Sequence, residues 1–487
     1  MTAVRGAVLA CVACVAGVAA AGIAAVPAAA ITPGVDWGEC APELNAPRGT
    51  GCARLAVPLD YADPSGRSIT LTLAAAGSLD APDVLVVNPG GPGESGIGTP
   101  KQVWSSMPEE IKDKYLVVSF DPRGVGASGA VDCGDTASLL PSPLPPNTPA
   151  DEEQETRRTD IARNIADACA EHSGDRLRHI TTENAARDLD RIRAALGKEK
   201  LDYLGYSYGS KLGATYATLF PDATGRMVLD GVVDPTVSTY ESGFQQNGAL
   251  QRRAEQFFDW AADRDERYHL GTTGEGVSGT WEDIRGKLAA EPAEGKVGSA
   301  ELDEMLASAM YTDVSWPTLA DAVARYLEGD PGALVRATEQ LSIDPVNGAQ
   351  LAYNCVDDEW PADWRTWHED TADSAREAPL FAWLNTWYSA PCAFWGAEPG
   401  GPVDIGDGDV PPVLLVQAQH DPATPVEGAH RMRDTLPGSR LVLSGGGNHG
   451  QFLFDGNGCV DTAVAAYLRT GDLPEADIDC PAPPPPE

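Results

Sequence analysis

"LDYLGYSYGSKLGATYATLF", residues 201–220, is the stretch whose reading decides the fold. A short apolar run of strand composition leads into Gly205-Tyr206-Ser207-Tyr208-Gly209, and a helix-forming segment follows at once. With 51 glycines among 487 residues, a serine between two glycines carries little weight alone. Its position gives it weight. Strand, tight turn, helix is the context in which small residues let a serine stand exposed on a sharp bend, beside a helix N-terminus that favours negative charge. Ser207 is therefore the candidate nucleophile.

Outward from this segment the chain alternates strand and helix. "DVLVVN" (83–88) and "YLVVSF" (115–120) are uniformly apolar, as strands covered on both faces are. "ARLAVPLDY" (53–61) and "SITLTLAAA" (68–76) precede them, and "GRMVLDGVV" (225–233) follows the serine segment. Helical patterns occupy 154–171 and 182–196, the second opened by a threonine cap and closed by Gly197. From 236 to 405 the strand signal gives way to Trp-rich helical sequence. Strands then resume at "PPVLLVQAQ" (411–419) and "SRLVLSGG" (439–446). A mostly parallel sheet interrupted by a helical insertion accounts for this order: one α/β domain with core segments 31–235 and 406–480, a helical cap inserted over 236–405, and a disordered Pro-rich tail over 481–487.

Residues 1–30 carry one charged side chain, Arg5, then an Ala/Val-rich run and "PAAA". That order reads as an export signal, with a retained anchor as the alternative. Eight cysteines remain beyond it, an even number that suits disulfides in an exported protein. Counting cannot choose among the possible pairings. Closing the shortest loops gives Cys40 with Cys52, Cys133 with Cys169, Cys355 with Cys392, and Cys459 with Cys480. No C-x-x-C pair is present, which speaks against zinc or thioredoxin chemistry, and no cofactor or metal is expected. The net charge of −37 makes nucleic acid and anionic lipid poor partners.

A serine nucleophile needs a base, and the base an orienting carboxylate, in the chain order Ser, acid, His. Two later histidines follow strong strands, His420 and His449. His449 lies in "SGGGNHGQF" directly after the last strand, whereas His420 adjoins Asp421, and adjacent side chains rarely face one another. His449 is the expected base and Asp421, in "QAQHDPATP", the acid. An oxyanion hole needs backbone N–H groups. Tyr208, next after the nucleophile, supplies one. The "NPGGPG" loop supplies the other through Gly90, Gly91 or Gly93, since Pro89 and Pro92 have none to give, and Gly91 is favoured.

"NPGGPGESG", "FDPRGVGASG", "TTENAARDLDRIRAALG", "GYSYGS", "LDGVVDP", "HDPATP" and "GGGNHGQF" occur in an order and spacing that resembles the α/β-hydrolase peptidases akin to proline iminopeptidase. More closely, the chain is similar to the secreted tripeptidyl aminopeptidases of actinobacteria, over essentially all of residues 50–480. The resemblance implies an exported serine exopeptidase acting on peptides with a free N-terminus, with Ser207, Asp421 and His449 as its triad and a bracing role for Asp121 and Arg123. It also implies acidic cap residues that hold the substrate amine. No motif locates them here, and Asp357, Asp358 and Glu359 in "NCVDDEW" form the best acidic cluster. Peptides are then the expected partners, with no membrane contact after signal removal and no obligate protein partner. An esterase or amidase acting on small acyl compounds is the alternative, because fold and triad do not define the acyl group. A non-catalytic binding protein is disfavoured by the complete set of catalytic residue types.

Overall fold

The structure, a computed structural model, describes residues 34–341 and 346–487. The expected export signal, residues 1–30, lies outside the described residues. Among the described residues ten strands form one sheet: β1 (Gly38–Glu39), β2 (Gly51–Pro58), β3 (Ser68–Ala76), β4 (Asp83–Asn88), β5 (Tyr115–Phe120), β6 (Leu201–Tyr206), β7 (Thr224–Asp230), β8 (Leu414–Ala418), β9 (Arg440–Ser444) and β10 (Ile478–Cys480). Their spatial order is β1-β2-β3-β5-β4-β6-β7-β8-β9-β10. β5 through β10 run parallel, while β1, β2 and β3 form an antiparallel end.

The physical reason lies in the side chains. β5, β6 and β8 are buried at every residue, so both of their faces must be covered by helices, and only crossover connections do that. One face is built around Leu189, Ile192, Leu212 and Tyr216, the other around Val103, Ile111, Val464 and Leu468. The helix Thr182–Ala195 begins as expected, with the Thr181 side chain accepting from Asn184 N.

Between β7 and β8 the chain makes helices and 3-10 turns from Thr239 to Phe394. This segment has its own apolar centre, in which Phe257, Trp281, Leu306, Met310 and Leu319 are buried. Trp360, Trp367, Trp364, Trp387 and Trp383 stack in succession, with centroids 5.4–5.7 Å apart. The stack holds cap helices together through large, stiff apolar surfaces.

Arg123 and Asp188 are fully buried as an ion pair at 2.7 Å, and the guanidinium also donates to the carbonyls of Pro58, Leu59 and His179. Every donor of a buried cation is thus matched to an acceptor, the condition under which burial of a charge is tolerable. Asp121 accepts from Ser95 Oγ, Gly96 N and Ala127 N, and so ties the loop after β4 to the loop after β5.

The tail departs from expectation. Instead of lacking structure, residues 481–487 lie along the protein: Asn457 Nδ2 donates to Pro481 O, while Trp260 Nε1 and Arg264 of the cap donate to Pro486 O. A proline-rich segment has few conformations to lose on docking, and its carbonyls are good acceptors.

Four disulfides join Cys40–Cys52, Cys133–Cys169, Cys355–Cys392 and Cys459–Cys480. Each closes a short excursion and contributes about 2–4 kcal/mol by restricting the unfolded chain. Thiol titration of unfolded, unreduced protein lacking residues 1–30 is expected to find no free cysteine. Two or more per chain would contradict the pairing. Among the described residues no helix is long and apolar enough to cross a membrane.

Candidate active site

Because the central strands are parallel, the loops at their C-terminal ends meet on one edge of the sheet. Ser207 follows β6 at φ 56°, ψ −122°, a conformation that L side chains rarely adopt and that the surroundings must enforce. The two motif glycines make the bend possible. A Cβ at Gly205 would fall 2.2 Å from Gly209 O, and one at Gly209 would fall 2.9 Å from Asn88 Oδ1. Ser207 N donates to Asp230 O at the end of β7, and Ser207 O accepts from Ser210 N and Oγ.

Asp421 leaves β8 in a turn that saturates its carboxylate. Oδ1 accepts from Ala423 N and Thr424 N at 2.9 Å, and Oδ2 from Thr424 Oγ1 and Gln417 Nε2 at 3.1 Å. His449, on the loop after β9, places Nδ1 at 2.9 and 3.0 Å from the two Asp421 oxygens. This bond assigns the proton to Nδ1 and leaves Nε2 as the acceptor. Burial alone would lower the His449 pKa, but the Asp421 charge and hydrogen bond, aided by Asp230, raise it above the ordinary value.

Gly231 is the spacer between histidine and serine: a Cβ there would lie 2.9 Å from His449 Cε1 and 3.5 Å from Ser207 N. The Ser207 backbone and the His449 ring thus both adjoin one glycine. Among the described residues Ser207 Oγ makes no hydrogen bond, an open geometry common in unliganded sites. Beneath them Asp230, fully buried, accepts from Gln451 N and Phe452 N, and its pKa is pushed up to about 7 by burial, against those two bonds.

Of the N–H groups considered for an oxyanion, Gly90 N already donates to Asn88 Oδ1 at 3.0 Å. Gly91 and Tyr208 line a cavity with Ser207. Tyr208 is the first residue of its helix, where an N–H has no partner within the helix.

The cavity is about 260 Å³ and is roofed by the helical insertion through Gln246, Leu250, Tyr311 and Leu384. The acidic cluster divides there. Asp358 lines the cavity. Asp357 does not: it is buried behind, accepting from Thr182 N at 2.8 Å and Thr182 Oγ1 at 2.5 Å, so its capacity is spent on a helix N-terminus. Glu359 is exposed and outside the cavity, because the chain has left the helix Gly348–Asp357 and turned outward. The cap tryptophans at 360, 364, 367, 383, 387 and 395 do not border the cavity.

Lys211, one turn after Ser207 on the same helix, escaped the sequence reading. Its ammonium sits 3.5 Å from Asp357 and 3.6 Å from Asp358. Burial would lower its pKa, yet the two carboxylates raise it. One cation between two carboxylates leaves surplus negative charge on this wall. Asp358 is also held by Thr239 N at 3.1 Å and by the Thr239 hydroxyl. The other acid on the cavity, Asp234, is committed to the Arg431 guanidinium and to Thr236. Thr424 is a second residue that was missed; its signal was the "DPAT" turn, whose hydroxyl can reach back to the aspartate.

Serine, aspartate and histidine on the loops after β6, β8 and β9 of a parallel sheet, with a helical insertion, define an α/β-hydrolase with a cap. Residues 83–273 match the family model described as alpha/beta hydrolase fold, and residues 378–480 the model described as TAP-like protein. The tripeptidyl aminopeptidase of Streptomyces coelicolor is 39% identical over 465 residues, covering 92% of this chain and 86% of that one. Serine protease Hip1 of Mycobacterium tuberculosis is 32% identical, covering 92% and 91%. Carboxylesterase B of the same organism is 30% identical, covering 92% and 90%. The chain belongs to the tripeptidyl aminopeptidase family of α/β-hydrolases.

Proposed function

We propose that the protein is an exported serine exopeptidase that hydrolyses peptides from a free N-terminus and releases tripeptides. The observation that carries this reading is the paired His449–Asp421 at 2.9 Å, with His449 and the Ser207 backbone both adjoining Gly231, and Ser207 lining a capped cavity. Export is supported by the four disulfides, which persist in oxidising compartments.

In this reading Ser207 Oγ attacks the scissile carbonyl while His449 Nε2 takes its proton, and Asp421 holds the imidazole tautomer and stabilises the imidazolium. The N–H groups of Tyr208 and Gly91 receive the oxyanion. Collapse breaks the C–N bond, His449 returns the proton to the leaving amine, and a peptidyl ester on Ser207 remains. Water, deprotonated by His449, then attacks the ester carbonyl, the C–Oγ bond breaks, and His449 returns the proton to Ser207 Oγ. Asp358 takes the substrate's terminal ammonium, because it is the cavity carboxylate whose one cationic partner is shared with Asp357.

Protonated His449 cannot accept the serine proton, so kcat/KM is expected to fall as pH drops through the His449 pKa. Since that pKa is raised, the acid midpoint on a tripeptide anilide should lie above about 6.5. A midpoint a full unit lower would exclude the Asp421-paired histidine as the base. The Carboxylesterase B relative favours a second reading, hydrolysis of small acyl esters by the same residues. Product analysis separates the two: intact tripeptide should appear from longer unblocked peptides, whereas an esterase would turn over small esters and leave peptides uncut.

A further inference from the structure

The loop that carries His449 is gripped from both sides. On the core side Asp230 receives Gln451 N and Phe452 N. On the cap side the grip passes through the residue just before the histidine. Asn448 is buried, and its amide fills all four of its hydrogen-bonding positions. Oδ1 accepts from Arg253 at 3.0 Å and from Asp313 N at 2.8 Å; Nδ2 donates to Asp313 Oδ1 at 3.0 Å and to Asp455 Oδ1 at 2.7 Å.

Three of these four bonds go to the helical insertion. Arg253 lies on the helix Thr239–Ala262, with its guanidinium 4.5 Å from the Trp316 ring centre and 3.7 Å from Asp313. The histidine itself is held by the same segment: His449 N donates to Tyr311 O at 2.8 Å, and the two rings meet edge to face at 5.5 Å. Tyr311 also lines the cavity, as do Gln246 and Leu250 of the helix that bears Arg253. The elements that hold the base thus also line the cavity, while Ser207 Oγ stands without a hydrogen bond.

We infer that Asn448 is a positioning residue through which the cap, by way of Arg253 and Asp313, sets the His449 imidazole against Ser207. The cap then does more than limit access: its standing hold on the His449 loop sets the proton-transfer geometry. This inference rests on the Ser207–His449 reading of the site.

The test compares Asn448→Ala, Asp313→Ala and Asp313→Asn with the native enzyme on a tripeptide anilide. The same proteins are assayed for the rate of covalent labelling by a small fluorophosphonate, which needs an activated serine but no peptide contact with the cap. A misplacement of about 1 Å costs up to about 10²-fold in rate. Asn448→Ala and Asp313→Ala are expected to lose about 10- to 100-fold in kcat and in labelling rate, with KM changed less than about threefold. Asp313→Asn keeps Oδ1 and the backbone N–H, so it should recover most of both rates. Should Asn448→Ala not fold, the Asp313 pair still decides, because that side chain is partly exposed at the edge of the network. Native kcat and labelling in Asp313→Ala, with only a lowered thermal midpoint, would overturn the inference and leave a purely structural contact. Ser207→Ala and His449→Ala are run alongside. Activity in either would refute the underlying site, whereas their inactivity beside fully active Asp313 and Asn448 variants would refute only the positioning role.

Discussion

Replacing Ser207 by Ala is expected to lower kcat on a tripeptide anilide by about 10³-fold or more while the thermal midpoint stays within a few degrees of native. The size follows from the chemistry. Without Oγ the proposed mechanism has no attacking oxygen and no ester intermediate, and only binding and the oxyanion donors proposed at Tyr208 and Gly91 remain to assist water. The fold should be indifferent because Oγ has no hydrogen bond to lose, while the backbone bonds that hold the bend, Ser207 N to Asp230 O and Ser210 N to Ser207 O, survive the change. Alanine must still adopt φ 56°, and it inherits the same enforcement from Gly205, Gly209 and the helix behind them. Steady-state turnover, burst kinetics and a melting curve on the same sample check both halves. Turnover within tenfold of native would remove Ser207 as nucleophile whatever the stability.

Acetylating the terminal amine of a good tripeptide anilide is expected to lower kcat/KM by roughly 2–5 kcal/mol of transition-state binding. That range converts to about 30- to 4,000-fold at 1.4 kcal/mol per tenfold. A free amine entering a capped cavity gives up water, and only a carboxylate whose charge is not already cancelled offsets that loss. Asp358 meets the condition, since Lys211 is divided between it and Asp357. Asp358→Asn should bring the free and acetylated substrates close together, because Asn retains an acceptor for the Thr239 N–H and hydroxyl but carries no charge. The comparison is read as the ratio of kcat/KM for the two substrates in native and variant enzyme. Equal values in the native enzyme would reject recognition of a free N-terminus and favour an esterase or an endopeptidase. A large native ratio unchanged in Asp358→Asn would keep the exopeptidase and place its amine contact elsewhere.

Sequence alone determined the features whose cause is local. Largely apolar runs at 83–88, 115–120, 201–206 and 414–418 are best satisfied between two layers of helix, so they announced a parallel sheet. The small residues at 205 and 209 marked the bend at Ser207, and chain order after strands singled out Asp421 and His449, which the structure brings within 2.9 Å. Short-loop pairing of the cysteines succeeded for the same reason, because each bridge closes a neighbouring excursion.

Tertiary structure decided what depends on distant partners. Three consecutive acidic residues look alike in sequence, yet Asp357 is consumed by Thr182, Asp358 meets the cavity, and Glu359 faces solvent, a division set by where one helix ends against another part of the chain. The proline-rich tail looked free because its donors, Trp260 and Arg264, lie more than 200 positions earlier. The hold of Tyr311, Asp313 and Arg253 on the His449 loop has no sequence signature either. Hydrogen bonds between side chains and backbone across such separations are chosen by packing geometry, which local composition does not encode.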